Sequence, residues 1–218
     1  KMTNITRRVW EIISTDVSIR KDLSRKLINS RALAKYLIKT HNIQASLDSV
    51  ISAIRRFESE EAFEENFRTI EQVLRGSNIT TKTNISCLTL RENSSNAKYL
   101  YSMLCDDSFK ASESLRIAKG SEFLKVIADT HDVPKIKRIF SQGVVIREDP
   151  NLAEIIVFLN EEAQQTRGVF ARITNEIANK GINIVEVITC LPELLIFVKQ
   201  ADLVTCHDSL FRLCNKVS

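Results

Sequence analysis

Apolar residues recur at helical spacing over the first 75 positions. Thr3–Ser14 carries Ile5, Val9, Ile12 and Ile13, and a second helix, Ser18–Leu27, follows. Ser30–Thr40 carries Leu33, Ala34, Leu37 and Ile38 behind Ser30 as the cap. After the turn His41-Asn-Ile-Gln-Ala45, Ser46 caps Leu47–Phe57, where Leu47, Val50, Ile51, Ile54 and Phe57 form one apolar stripe. Glu58–Arg75 reads as a further, more acidic helix with Phe63, Phe67, Ile70 and Leu74.

From Asn78 the pattern alternates between strand and helix. The first run is a strand (Ile79–Leu90), a helix (Ser95–Leu104), two strands (Ser114–Ala118, Glu122–Ala128), a helix (Asp132–Phe140) and a strand (Val144–Arg147). The second is a strand (Leu152–Leu159), a helix (Gly168–Lys180), two strands (Ile182–Cys190, Leu194–Val198) and a helix (Ala201–Leu213). Glycines punctuate the order: Gly76, Gly143 and Gly181 each follow a helical pattern and precede a strand, and Gly168 sits between strand and helix. Pro150 falls where one strand stops and the next begins, and Pro192 falls in a tight turn.

This order predicts an α+β chain with an N-terminal helical domain followed by two ferredoxin-like βαββαβ units. The expected boundaries are residues 1–75, 77–149 and 150–218. The second unit has no obvious final strand. Either that strand is missing or it comes from elsewhere in the chain, with the long Ile79–Leu90 run as the candidate.

Charge separates the two parts. Residues 1–60 hold 12 Lys/Arg against 6 Asp/Glu, net +6, and residues 61–218 hold 19 against 21, net −2. The helical part resembles a helix-turn-helix, with Ser30–Thr40 positioning and Ser46–Phe57 reading. Removing the apolar stripe leaves Ser49, Ser52, Arg55 and Arg56, residue types that suit base edges and phosphates in a major groove. Arg31 and Lys35, with Arg25 and Lys26, would neutralise phosphates. Asp48 counts against DNA, although it also suits a helix N-terminus.

The stretch Thr166–Thr189 contains a strand-to-helix turn at Gly168, an apolar helix face of Val169, Ile173, Ile177 and Ala178, and then Gly181-Ile-Asn-Ile184. Unpaired N–H groups at the start of such a helix attract an anion such as an α-carboxylate. This stretch, within Leu152 to about Asn215, resembles the ACT domain, most closely the ACT domains of aspartate kinase regulatory parts. The resemblance implies a βαββαβ sandwich that dimerises and takes a free amino acid as effector. It implies a ligand site at Thr166, Arg167, Gly168, Val169 and Phe170, with Asn183 of the Gly-Ile-Asn-Ile run and with Glu186 meeting the ammonium. Arg167 departs from the acidic residue or proline that many ACT loops carry there. For the first unit, ACT-likeness rests on element order alone.

No phosphate loop, dinucleotide fingerprint, nucleophile elbow or paired metal-ligand spacing is present, so neither catalysis, metal nor cofactor is expected. The five cysteines are scattered over apolar positions and read as buried reduced thiols. No apolar run reaches membrane-spanning length and no apolar leader is present, which predicts a cytoplasmic protein without a membrane partner. The sequence thus predicts an amino-acid-responsive regulator that binds duplex DNA as a homodimer joined through its ACT units. Effector binding would alter dimer geometry and so half-site spacing. The alternatives are a stand-alone regulatory subunit that docks on an amino-acid biosynthetic enzyme through its helices, and a small enzyme whose site carries no recognised motif.

Overall fold

The computed structural model describes residues 4–60, 70–92, 98–99, 103, 105, 114–140 and 143–215. The expected Ser95–Leu104 helix and most of Glu58–Arg75 lie largely outside these residues. The chain divides into two compact units, Lys1–Thr69 and Ile70–Ser218.

In the first unit, α1 (Asn4–Thr15), α2 (Val17–Ser24), α3 (Ser30–His41) and α4 (Leu47–Glu60) enclose one apolar core. The predicted stripes face it: Val9, Leu37, Val50 and Ile54 are fully buried. The α3 cap differs from expectation. Asn29, not Ser30, caps the helix, its carboxamide oxygen accepting from the N–H groups of Arg31 and Ala32 at 2.9 and 3.1 Å. Asn29 is one residue earlier, in the extended conformation that a cap requires. Asn42, at φ 48°, turns the chain out of α3, and Ser46 accepts from the Ser49 N–H as predicted. The Trp10 indole N–H donates to the Ala53 carbonyl at 2.9 Å, and its ring meets Phe57 edge-on at 5.7 Å, which ties α1 to α4.

The second unit is built on one antiparallel six-stranded sheet. Its strands are β1 (Asn78–Arg91), β2 (Arg116–Lys119), β3 (Phe123–Asp129), β4 (Val145–Phe158), β5 (Ile184–Cys190) and β6 (Glu193–Lys199), in the spatial order β2-β3-β1-β4-β6-β5. Among the described residues, α5 (Val133–Ile139), α6 (Val169–Ala178) and α7 (Leu203–Cys214) each follow a strand. Pro150 does not end a strand. β4 runs through it, and the ladder with β1 slips at that level instead, between Ile85–Leu152 and Cys87–Asp149. A proline is tolerated where a bulge leaves its missing N–H unneeded. Asn151 and, across the ladder, Asn84 adopt φ near 57° and 59° there, and Gln200 accepts the Asn84 N–H at 3.0 Å.

The Ile79–Leu90 run lies beside β4, on its side away from β6. Asn78–Lys82 pairs with Glu154–Phe158 of β4, while Ile85–Arg91 pairs with both β3 and the start of β4. Ile70 and Leu74, expected in the helical domain, instead join the second unit's core with Val157, Ile173, Ile196 and Leu210.

Alternate strand residues face opposite ways. Ala153, Ile155 and Val157 of β4 join the helix-side core, and Leu88, Val126 and Ile136 form its counterpart near β3. Leu152, Ile85, Ile127 and Phe197 cover the other face. That face curls. Lys125 on β3 and Glu186 on β5 lie four strand spacings apart, roughly 19 Å if the sheet were flat, yet their charged atoms are 2.5 Å apart.

Replacing Ile54 by Ala removes buried contacts at the centre of the first unit and is expected to cost about 2–5 kcal/mol. Urea unfolding followed by fluorescence of Trp10, the single tryptophan, reads this directly. Burial pushes the thiols of Cys87, Cys206 and Cys214 up from 9.0 to about 11. Between those values the unfolded chain releases thiol protons that the folded chain retains. Stability is therefore expected to fall as pH rises across that window. At pH below 9, a thiol reagent should react quickly only with the exposed Cys105 and Cys190. Rapid reaction of all five would contradict this burial.

Candidate functional site

The Thr166–Phe170 turn leaves β4 through a 3₁₀ turn at Glu161–Gln164. Thr166 closes that turn with both its N–H and its hydroxyl, which donate to the Glu162 carbonyl at 3.0 and 2.8 Å. Gly168 then takes φ 91°, a left-handed conformation that a side chain resists, and α6 begins at Val169. No side chain caps the helix, so its first N–H groups remain open to an anion. Gly168 also packs closely: a Cβ placed there would lie 3.2 Å from Ile70 Cδ1.

The predicted ligand residues fall into separate places. Thr166, Arg167, Gly168 and Phe170 lie together on the turn, with Arg167 and Phe170 exposed. Val169 is buried beneath the helix, where its backbone N–H is what it can offer a ligand. Asn183 is exposed just before β5. Glu186 is not beside the turn. It pairs in register with Phe197, four residues along β6 from Glu193, which stands opposite Phe158 where β4 ends. Its carboxylate is held by Lys125. Burial pushes the Lys125 ammonium down, but its hydrogen bond to Glu186 together with the charges of Cys87, Glu186 and Asp149 outweighs burial, and the net shift is upward.

The predicted DNA residues Ser49, Ser52, Arg55 and Arg56 on α4, and Arg31 and Lys35 on α3, are all exposed. The Ser49 hydroxyl is engaged with that of Ser46 at 2.8 Å.

Sequence reasoning missed Glu154. It is 2% exposed, on the sheet face opposite the helices, and burial pushes its carboxyl up despite the charges of Arg116 and Lys82. A charged residue within Leu-Ala-Glu-Ile-Ile-Val was the available signal. At the end of β3, the ligand-type atoms of Asp129, His131 and Asp132 come within 4.8 Å of one another, and Asp129 is paired with Lys82 at 3.2 Å. Among the described residues no helix is long and apolar enough to cross a membrane.

No family model and no curated protein matches this sequence. Solved structures match its fold. The aspartate kinase of Clostridium acetobutylicum, described as an allosteric enzyme, aligns with a TM-score of 0.53 at 14% identity, over 66% of this chain and 36% of that one. The ligand-free regulatory subunit of aspartate kinase from Thermus thermophilus aligns at 0.51 with 10% identity, over 64% of this chain and 98% of the subunit. The corresponding Thermus flavus subunit gives 0.51 and 10%, over 62% and 95%. At these identities the likeness is one of fold. This chain thus contains the fold of an entire aspartate kinase regulatory subunit but spans only about a third of the Clostridium kinase.

Gly168→Val is expected to destabilise the second unit by about 1–3 kcal/mol, from strained φ together with the Ile70 contact. Gly181→Val supplies the comparison, since Gly181 has φ 71° but nothing within 4 Å of a Cβ. Chemical denaturation should show the larger loss at Gly168. Equal losses would mean that Ile70 does not constrain the turn.

Proposed function

We propose that this protein is an amino-acid-responsive regulator. The observation that carries the reading is the uncapped start of α6 behind the left-handed Gly168, in a fold shared with aspartate kinase regulatory subunits. The ligand's α-carboxylate would sit on the N–H groups of Val169 and Phe170, with Thr166 and Arg167 at the rim. An ammonium seeking Glu186 must displace Lys125, so the carboxylate end supplies most of the recognition in one chain.

The strand order supports reading the sheet as two ferredoxin-like, ACT-like units joined edge to edge. Each half, taken from its own first strand, runs 2-3-1-4, and the long strands β1 and β4 belong to both. The expected homodimer would form through the open edges of β2 and β5.

For the first unit, the reading is duplex DNA binding through α3 and α4, which makes the protein a transcriptional regulator. It rests on the basic charge of residues 1–60 and on the exposure of Arg55 and Arg56. The second reading is a regulatory subunit of a biosynthetic enzyme. It is favoured by the match to whole subunits that regulate aspartate kinase.

Thermal unfolding against each of the twenty amino acids is expected to show one that raises the transition, and Gly168→Val to abolish that rise. No rise with any of them would remove the effector. Duplex affinity is expected to fall steeply with salt, and the Arg55→Ala, Arg56→Ala double variant to weaken it by about 1–3 kcal/mol per base-reading contact. Absence of duplex binding at low salt would leave the enzyme-subunit reading. Sedimentation at micromolar concentration reads the dimer.

A further inference from the structure

A cavity of about 420 Å³ opens on the sheet face opposite the helices, between the start of β2 and the pairing of β1 with β4. It is lined by Lys82, Arg116, Glu154 and Glu193, with Ile156 and Phe158 as an apolar wall. Its two cations are already engaged. Lys82 reaches Asp129 at 3.2 Å and donates to the Ser114 hydroxyl. Arg116 Nε lies 3.2 Å from Glu154 Oε1.

The carboxylates are not satisfied to the same degree. Glu154 Oε1 is fully enclosed and accepts no hydrogen bond, because Arg116 sits at ion-pair distance without the alignment a hydrogen bond needs. Glu193 is half-buried and forms no ion pair among the described residues. With Lys82 neutralised by Asp129, the lining carries one excess negative charge and an orphaned buried acceptor. A buried acceptor left unpaired is costly, so the complement of this cavity is a group rich in N–H donors. An anionic ligand would meet cations that are already paired. A divalent metal is disfavoured because Arg116 holds its positive charge against the same oxygen. Among the described residues, moreover, Glu154 and Glu193 share no third ligand at metal-binding distance.

We propose that this cavity binds a small organic cation, a primary ammonium on an apolar body, with its N–H groups on Glu154 and Glu193 and its carbon chain against Ile156 and Phe158. The site is separate from the Thr166–Phe170 turn and does not depend on the reading given to that turn.

Calorimetric titration of the full chain with n-butylammonium tests it, with n-butanol and butyrate as neutral and anionic counterparts of the same chain length. The expected result is saturable binding of n-butylammonium alone. Glu154→Gln and Glu193→Gln, which preserve shape and remove charge, should each weaken it about tenfold, as for loss of one charge-assisted hydrogen bond. Phe170→Ala, on the turn, should leave it unchanged. The proposal is overturned by no n-butylammonium binding at millimolar concentration, by equal binding of n-butanol, by wild-type affinity in the Gln variants, or by loss of binding in Phe170→Ala. If circular dichroism shows that Glu154→Gln does not fold, the half-buried Glu193→Gln decides.

Discussion

The second unit depends on the pairing of two 14-residue strands, β1 and β4. Antiparallel pairing over that length forces both halves of the sheet to share their centre. β3 and β2 extend the sheet from one side of this pair, and β6 and β5 extend it from the other. A register slip by one residue would exchange the helix-side residues Ala153, Ile155 and Val157 for Leu152, Glu154 and Ile156. Both faces would lose their cores. The bulge at Asn84 and Asn151 fixes that register and absorbs Pro150 without breaking the strand.

Curling follows from what the sheet must cover. Two helix-side cores occupy one face, and the opposite face has Leu152, Leu195, Phe197, Ile85 and Ile127 to remove from water. Bending brings β5 toward β3, and the Lys125–Glu186 pair closes the gap. Ion pairs that are partly buried contribute more to specificity of arrangement than to net stability. Here the pair sits with Arg147 and Asp149, 2.6 Å apart, around the Cys87 thiol, so charges of both signs are balanced locally. Glu154 lies outside that balance, and its enclosed oxygen accepts no hydrogen bond.

Two chemically opposite features therefore lie on the two faces of one sheet. The start of α6 offers N–H groups and partial positive charge, and the cavity at Glu154 offers a carboxylate oxygen that is ion-paired with Arg116 but accepts no hydrogen bond. The first unit has its own core, centred on Val50, Ile54 and Leu37, and carries all of the chain's net charge of +4.

The sequence by itself determined the helices and strands wherever one face was apolar and periodic. The α4 stripe of Val50, Ile54 and Phe57 is one case, and the α6 stripe of Val169, Ile173 and Ile177 is another. It also located the glycine turn, because only a residue without a side chain enters a helix readily at φ 91°. Tertiary structure decided everything that depends on non-local pairing. Asn78–Lys82 lies beside β4 on its side away from β6, a distant pairing that periodicity could offer as a candidate but could not fix. Pro150 reads as a break in a linear string and is a bulge in a ladder. Glu186 reads as an open carboxylate until the curl of the sheet brings Lys125 to it. Glu154 reads as one charge in an apolar strand, and its burial beside Arg116 exists only once β2 and β4 are folded into the same sheet. Periodicity records which face a residue takes, whereas charge pairing records which distant strand it meets.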